Sequence, residues 1–192
     1  MMPMGIPAWT AEGILPPINE ASPTSVHRSP YVVRLSEVVE RFGSTSERLH
    51  ILDGLLQYRA ALHAVGLVRG LQWLDGSFLE NVEQFEGRPP NDIDVVTFYR
   101  LQPGTDQSSV AQQAPDLFDG RAVKRQFHVD AYFLSLDAPA ERLVAGSAYW
   151  YSMWSHRRNL AWKGYLQVDL APAEDDSAVA LLASLAAPGV LP

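Results

Sequence analysis

The chain contains no cysteine among its 192 residues, which excludes disulfide bonds, thiolate metal ligands and a cysteine nucleophile. It also lacks a run of roughly 18 apolar residues, the length that a helix needs to cross a bilayer, so we expect no membrane association. The first residues have neither a basic segment nor a long apolar segment, and we therefore expect no secretory signal peptide. These absences lead us to expect a cytoplasmic protein.

Positive charge is scarce as well. The 15 Lys and Arg residues are outnumbered by 22 Asp and Glu residues, which gives a formal net charge of −7 at pH 7. Neutralisation of phosphates by Lys and Arg supplies most of the affinity of nonspecific nucleic-acid binding. The charge balance therefore argues against broad nucleic-acid binding, whereas a small anionic ligand carried by Mg²⁺ is compatible with it.

The rest of the composition is that of a folded globular protein, with 47% hydrophobic and 19% charged residues. We predict a proline-rich N-terminal arm over residues 1–36, which show no helical period, and one domain over residues 37–192. The arm is predicted to be extended, with turns, and strapped over the domain. A partly disordered tail is the alternative.

Hydrophobic periodicity predicts a small mixed sheet flanked by helices, an α/β protein of the α+β kind. The clearest helix begins in a capping box at Ser44 with Glu47 and ends at Gly66. A short helix is predicted from Ser36 to Phe42. Strands are predicted at 68–75, 92–99, 127–136 and 165–170, a C-terminal helix at 177–187, a surface connection with one helical turn at 102–120, and a short helix followed by an aromatic cluster at 139–154.

Two aspartates begin the second predicted strand. Asp92 and Asp94 are two residues apart, so their side chains lie on the same face of a strand. Two neighbouring carboxylates repel each other unless a cation lies between them. Hard oxygen ligands of this kind suit Mg²⁺.

Two further features belong with this pair. Gly76 and Ser77 follow the preceding strand, where a small residue lets backbone N–H groups approach a phosphate, and a helix beginning just after them would add its dipole. Asp130 lies in an apolar strand, where a lone carboxylate is costly unless it is paired or bound to a metal. Three carboxylates from two strands can hold two Mg²⁺ ions roughly 3.5–4 Å apart, the spacing used in phosphoryl transfer.

Gly-Ser, then Asp-x-Asp, then a later strand aspartate resembles the signature of the nucleotidyltransferase superfamily, whose best-known member is DNA polymerase beta. The wider sequence is similar to a bacterial family of that superfamily without a settled function, and the likeness extends from about residue 9 to residue 170. The similar segments are 13–17, 41–43, 73–78, 90–96 and 163–164.

This resemblance implies a nucleotidyltransferase-like fold and a function. A nucleoside monophosphate would pass from a nucleoside triphosphate such as ATP to a hydroxyl of an unknown acceptor, which is a small molecule, a protein or RNA. Gly76 and Ser77 would contact the nucleotide phosphates. Asp92 and Asp94 would bind two Mg²⁺ ions, with Mn²⁺ as the alternative metal, and Asp130 would complete the metal site and help to deprotonate the acceptor hydroxyl.

The same residues also allow a structural interpretation. Asp92 would then cap the start of its strand, and Asp94 would lie at the rim of a loop. Asp130 would form an ion pair with Arg125 or Lys124.

A basic cluster between residues 156 and 164 is the second candidate. Arg157, Arg158 or Lys163 is predicted to contact the triphosphate or to neutralise charge as pyrophosphate leaves, because guanidinium and ammonium groups match phosphate oxygens. Lys163 is the preferred candidate. The alternative is a solvated loop with one cation stacked on Trp154 or Trp162.

The remaining polar and aromatic residues favour structural roles. His128 and His156 have no second ligand at a spacing typical of zinc sites. The aromatic run at 149–154 favours a core or an interface, with base stacking as the alternative. Asp75 is predicted to cap its turn. The carboxylates predicted to be solvated are Glu80, Glu83 and Glu86.

Two classes of function follow. The first is the enzyme described above, of which an RNA-modifying transferase is a variant that the acidic balance disfavours and the 156–163 patch supports. The second is a catalytically silent binding or regulatory protein of the same fold, such as the antitoxin-like partner in a bacterial two-gene system. Only about 60 residues follow Asp130, which leaves little room for a separate acceptor-binding domain and favours a protein partner.

Overall fold

A computed structural model of the protein describes residues 5–187. Residues 1–4 of the predicted arm and residues 188–192 of the predicted domain lie outside the described residues. In chain order the elements are β1 (Tyr31–Val32), α1 (Leu35–Phe42), α2 (Ser46–Ala64), β2 (Gly70–Asp75), α3 (Val82–Glu86), β3 (Ile93–Tyr99), α4 (Gln107–Gln113), α5 (Gly120–Phe127), β4 (Val129–Ser135), α6 (Ala140–Trp154), β5 (Leu166–Asp169) and α7 (Asp175–Leu185), with 3₁₀ turns at Ser77–Leu79, Pro115–Phe118 and Pro172–Glu174.

The five strands form one mixed sheet in the order β1-β5-β2-β3-β4. Strand β2 is antiparallel to both β3 and β5, whereas β1 is parallel to β5 and β4 is parallel to β3. The predicted α+β class and the four predicted strands are confirmed, with ends that differ by at most two residues. The prediction missed β1, which has two residues and lies in the proline-rich arm.

Two helical predictions were wrong. Helix α5 lies where no helix was predicted. Its sequence is rich in Lys, Arg and Gln, and its apolar face is too short to show a helical period. That face buries Val123 and Phe127, and the Asp119 side chain caps the helix by accepting a hydrogen bond from the Arg121 amide (2.9 Å). The segment 139–154 is not a short helix followed by a separate aromatic cluster, because α6 runs unbroken for 15 residues and carries the aromatic side chains.

Helix α2 packs on one face of the sheet, and its start differs from the prediction. Its N-cap is Thr45 rather than Ser44, because the Thr45 hydroxyl accepts the hydrogen bond from the Arg48 amide (3.3 Å). Gly66 follows the helix with φ +83°, as expected for a residue just past a C-cap. Helix α6 lies on the opposite face, where the Gly146 backbone comes so close to Leu134 that an added Cβ would be 2.2 Å from its Cδ1.

Two arginines of α2 are fully buried and tie the helix to its surroundings. Arg59 donates hydrogen bonds to Gln72 Oε1 on β2 (2.6 Å) and Asp175 Oδ1 at the start of α7 (2.7 Å). Arg48 donates to Phe78 O (2.6 Å) and pairs with Glu83 (2.6 Å), in the segment that follows β2. The geometry of the turn after β2 is therefore fixed from α2.

The described part of the N-terminal arm packs along the domain. The Trp9 indole donates to Leu79 O (2.7 Å), and the Gly164 amide donates to Leu15 O (2.8 Å). Leu15 is 1% exposed, and the arm ends in β1, which pairs with β5. Within residues 5–187, no helix has both the length and the apolar character needed to span a membrane.

Candidate functional site

Three aspartates face one another across three adjacent strands. In the strand register Asp75 of β2 is opposite Asp94 of β3, and Asp94 is opposite Asp130 of β4. Residues opposite each other in paired strands lie on the same face of the sheet, so these side chains lie next to one another. Asp92 comes one residue before β3. The fold therefore brings together all three predicted metal ligands, Asp92, Asp94 and Asp130, which we call the acidic row, and it places Asp75 beside Asp94.

Lys124 of α5 bridges two of these carboxylates. Its Nζ lies 2.7 Å from Asp92 Oδ2 and 2.8 Å from Asp130 Oδ2, and its side chain is 48% exposed. Hydrogen bonds to Asp130 and Asp92 raise the pKa of Lys124 above its usual value, so the ammonium is charged. The ion pair between Asp130 and Lys124, which the structural interpretation offered as an alternative, is thus present.

Asp94 lies between these groups without a cation of its own. Within residues 5–187 no basic side chain forms an ion pair with it. Burial, followed by the charges of Asp92 and Asp130, raises the pKa of Asp94 to about 6. When all are ionised, the three carboxylates and one ammonium leave two negative charges uncompensated.

The Gly76-Ser77 turn contacts this cluster directly. Gly76 has φ +90°, and a Cβ at this position would lie 2.6 Å from Asp94 Oδ2. Only glycine can meet both conditions. The expected helix dipole is not available here, since Ser77 begins a 3₁₀ turn of three residues rather than a long helix. The glycine instead lets the Asp94 carboxylate lie against the backbone of the turn.

A second charged network adjoins the row and is buried. Lys163 Nζ lies 2.9 Å from Asp75 Oδ1 and 3.1 Å from Glu80 Oε1, and the Arg157 Nε donates to Glu80 Oε2 (2.8 Å). Lys163, Asp75 and Glu80 are 6%, 3% and 6% exposed. Two carboxylates and two cations balance within this network. Burial nevertheless raises the pKa of Asp75 to about 7.

This network corrects two predictions. Glu80 is buried rather than solvated, because two cations compensate its charge, and Asp75 forms an ion pair rather than only capping its turn. Lys163 and Arg157, predicted to contact the triphosphate, pair with protein carboxylates in this network. Arg158, the third basic residue predicted to contact phosphate, is exposed and lies outside the network.

The carboxylates after the turn behave differently from one another. Glu83 pairs with the buried Arg48 and is therefore not a free solvated side chain. Glu86 pairs with Arg88 at the surface, as expected for a solvated residue. Arg48 was missed, although its position four residues before Leu52 and seven before Leu55 places it on the apolar face of α2.

The aromatic run is divided between the core and the surface. The Trp154 ring lies 5.8 Å from that of Tyr165, and the Trp150 ring lies 4.6 Å from that of Tyr132. Tyr149 is 55% exposed on the other side of α6. The inner part of α6 thus covers the sheet face that carries the acidic row.

The two histidines named from the sequence have different surroundings. His156 Nδ1 lies 3.0 Å from Arg157 O, a local backbone contact. His128 Nε2 lies 3.0 Å from His50 Nε2. The prediction missed this second histidine because 78 residues separate the two in the sequence and no short motif contains both.

The donor chemistry of the acidic row fits Mg²⁺ or Mn²⁺. Carboxylate oxygens are the hard ligands that these ions prefer, and two negative charges are uncompensated. In residues 5–187 the His, Asp and Glu side chains form no group of three or more already placed as metal ligands. At the acidic row, the Lys124 ammonium contacts the oxygens of both Asp92 and Asp130. A metal ion would bind Asp92, Asp94 and Asp130 once the exposed Lys124 side chain has turned away.

Comparison with known proteins assigns the chain to one family. The model of DUF6932, described as a family of unknown function, matches residues 7–169, a segment that includes every candidate residue from Gly76 to Lys163. Neither the curated proteins nor the solved structures contain a match to the chain. Because the matched segment is well over half of the sequence, the chain belongs to the DUF6932 family.

Proposed function

We propose that the protein is a metal-dependent nucleotidyltransferase, which transfers a nucleoside monophosphate from a nucleoside triphosphate to a hydroxyl of an acceptor. One observation carries this proposal: Asp94 and Asp130 lie opposite each other on parallel strands, with Asp92 two residues from Asp94 and the Gly76 backbone against the Asp94 carboxylate. The arrangement supports a site for a metal–triphosphate because it gathers hard oxygen donors at one place.

The uncompensated charge of the row supports the same function. Three carboxylates share one lysine, and the like charges of Asp92 and Asp130 help to raise the pKa of Asp94. A divalent cation would relieve this repulsion. Since Lys124 is half exposed, its ammonium can leave the carboxylates at little cost, because an exposed ion pair contributes only about 0–1 kcal/mol.

Each residue has a distinct task in this proposal. Gly76 leaves room for the Asp94 carboxylate beside the strand end, and Asp92 and Asp94 would hold the Mg²⁺ that carries the triphosphate. Asp130 accepts the proton of the acceptor hydroxyl as that oxygen attacks the α-phosphate and pyrophosphate leaves. Bound Mg²⁺ would supply charge neutralisation for the phosphates. Lys163 does not touch the nucleotide and keeps Asp75 and Glu80 in position.

Calorimetric titration with each of the four common nucleoside triphosphates in the presence of Mg²⁺ tests the proposal. We expect binding by the wild-type protein that weakens at least about tenfold in Asp92→Asn/Asp94→Asn, the size of effect that follows from losing a charged hydrogen-bonding or metal-binding partner. Asp116→Asn/Asp176→Asn is the matched control, because both residues are exposed and the net charge changes equally. It should bind like wild type.

Three results would count against the enzyme. Heat that is equal in wild type and in the Asp92/Asp94 variant would place the nucleotide elsewhere, and no heat at millimolar nucleotide would end the enzymatic proposal. Binding that is lost equally in the control variant would show an effect of net charge rather than of the acidic row. Circular dichroism of both variants confirms that the fold is kept.

A catalytically silent binding protein is the second candidate. The observation in its favour is a pair of exposed apolar side chains one turn apart on α6, Tyr149 (55% exposed) and Met153 (45%). Adjoining exposed apolar side chains of this kind occur at protein interfaces. If no nucleotide binds, co-purification with the product of a neighbouring small gene, abolished by Tyr149→Asp, would support this candidate. A solitary gene would disfavour it.

A further inference from the structure

Two histidines from distant parts of the sequence meet at the surface. His50 Nε2, on α2, lies 3.0 Å from His128 Nε2, at the end of α5, and the two rings are inclined at 60° with their centroids 4.5 Å apart. The pair is separate from the acidic row and has no role in the proposed transfer. We infer that His50 and His128 together bind one divalent transition-metal ion through their Nε2 atoms.

The pair stands on a rigid base. His128 has φ +56°, an uncommon conformation for a residue other than glycine, and it is held on both sides. Its amide donates to Lys124 O (3.1 Å) and its carbonyl accepts from the Ile93 amide (3.1 Å). Because the backbone of His128 is fixed on both sides, its Cα–Cβ bond has one direction, from which Nε2 of His128 reaches that of His50.

Helix α2 brings the second histidine to the same place. An added Cβ on Gly54 would lie 2.0 Å from Phe127 O, so α2 approaches the end of α5 as closely as glycine allows. The Tyr58 and Phe127 rings pack 5.9 Å apart on the next turn. His50 lies one turn before Gly54, and this close packing sets its ring beside that of His128.

The spacing suits a shared ion. Two imidazole nitrogens bound to one tetrahedral ion, each at the usual metal–nitrogen distance, would lie roughly 3.3 Å apart. The observed 3.0 Å is a few tenths of an ångström shorter, which a small rotation of either ring would provide. Both Nε2 lone pairs can point at the ion when each ring carries its proton on Nδ1.

The ligand type selects the ion. Imidazole nitrogens favour Zn²⁺, Ni²⁺ and Cu²⁺ over Mg²⁺, and among these Cu²⁺ binds nitrogen sites most tightly. With two protein ligands the remaining positions go to water or to an outside ligand. Asp53 follows one turn after His50 and lines the same groove between α2 and α7, of about 600 Å³, so a molecule in that groove lies near the ion.

Calorimetric titration of the full chain, without a polyhistidine tag, with ZnCl₂ and CuCl₂ tests this inference. We expect one equivalent of each ion, Cu²⁺ more tightly than Zn²⁺, and at least about a tenfold loss of affinity in His50→Ala, because even removal of an outer-shell group costs about that much. Alanine is the best helix former, so this variant keeps α2. His128→Asn should lose affinity similarly, and asparagine tolerates the left-handed backbone there.

Two controls separate this site from others. His27→Ala removes an exposed histidine of the arm and should bind both ions like wild type. Asp92→Asn/Asp94→Asn removes the acidic row and should also keep the Cu²⁺ site, whose electron paramagnetic resonance spectrum should show two bound nitrogens. Unchanged affinity in His50→Ala, a spectrum with oxygen ligands alone, or no binding at millimolar ion would overturn the inference and leave an ordinary hydrogen bond between the rings.

Discussion

The chain has only two lysines, and each bridges two carboxylates, one pair in the acidic row and the other beside it. Lys124 joins Asp92 to Asp130 with its side chain 48% exposed, whereas Lys163 joins Asp75 to Glu80 with its side chain 7% exposed. Water screens the first bridge and is excluded from the second. The same chemical contact is therefore exchangeable in one place and a fixed part of the structure in the other.

Charge balance strengthens this contrast. The buried network has two carboxylates and two cations, including Arg157, so its charges balance. The open cluster has three carboxylates and one lysine. A ligand that carries positive charge has something to neutralise only in the open cluster. For this reason we place the proposed metal there, although the sequence made Lys163 the preferred phosphate ligand.

The largest expected effect is on stability, from the same substitution at the two lysines. Lys163→Met leaves Asp75 and Glu80 with one cation between them in a buried site, and we expect a loss of about 3–5 kcal/mol in the free energy of unfolding. Lys124→Met breaks an exposed bridge and should cost less than about 1 kcal/mol. Urea denaturation of both variants measures the difference.

Adding Glu80→Gln to Lys163→Met should recover part of the loss, because it removes one of the uncompensated charges. Equal destabilisation by the two lysine substitutions would show that burial does not distinguish the bridges, and the contrast would be lost.

A smaller effect is expected on the pH dependence of stability. The pKa of Asp94 is raised to about 6 in the folded protein, so the folded state keeps its proton at pH values where the unfolded state has lost it. The resulting stability is full below the unfolded pKa and is lost as the pH rises to about 6. We expect the free energy of unfolding to fall by about 1–3 kcal/mol over this window because of Asp94.

Asp94→Asn removes this contribution, and it also removes the charge of Asp94, which helps to raise the pKa of Asp75. The wild-type stability should therefore fall more steeply than that of the variant between about pH 4 and pH 6, measured by urea denaturation in a chelating buffer. Asp116→Asn, at an exposed site, should follow wild type. Parallel curves for wild type and Asp94→Asn would mean that Asp94 is better solvated than its burial indicates.

The smallest expected effect is on ion affinity. Without its ammonium, the cluster of Asp92, Asp94 and Asp130 has no internal competitor, and Lys124→Met should bind Mn²⁺ about fivefold more tightly, which corresponds to about 1 kcal/mol. Arg121→Met is the matched control, because it removes one exposed cation from the same helix. Weaker Mn²⁺ binding in Lys124→Met would assign Lys124 to the ligand itself, for example as a phosphate contact.

The sequence was sufficient for four of the five strands and for the acidic row. Alternation of side chains along a strand put Asp92 and Asp94 on one face, and the apolar surroundings of Asp130 indicated a strand whose charge needs a partner. These are local patterns, and the structure places all three residues together. Their chemical role is still a proposal.

The charged partners could not be predicted in the same way. Lys163 meets Asp75 across 88 residues and Glu80 across 83, and no periodicity relates such distant positions. The residues around Glu80 in the sequence are those of a solvated turn. Glu80 is buried because two cations, Lys163 and Arg157, contact its carboxylate. Helix α5 was not predicted because most of its residues are polar. The position on a helix from which Lys124 reaches the acidic row was therefore not predicted either.

The two-residue strand β1 has a consequence for the solubility of the protein. It pairs with β5 on the side that faces away from β2, so β5 is an inner strand only because the N-terminal arm lies beside it. A strand edge without such a cover presents free N–H and C=O groups to any other extended chain, whereas a very short edge strand offers little to pair with. The arm thus covers the edge of β5, and release of the arm would expose β5 to pairing with strands of other molecules.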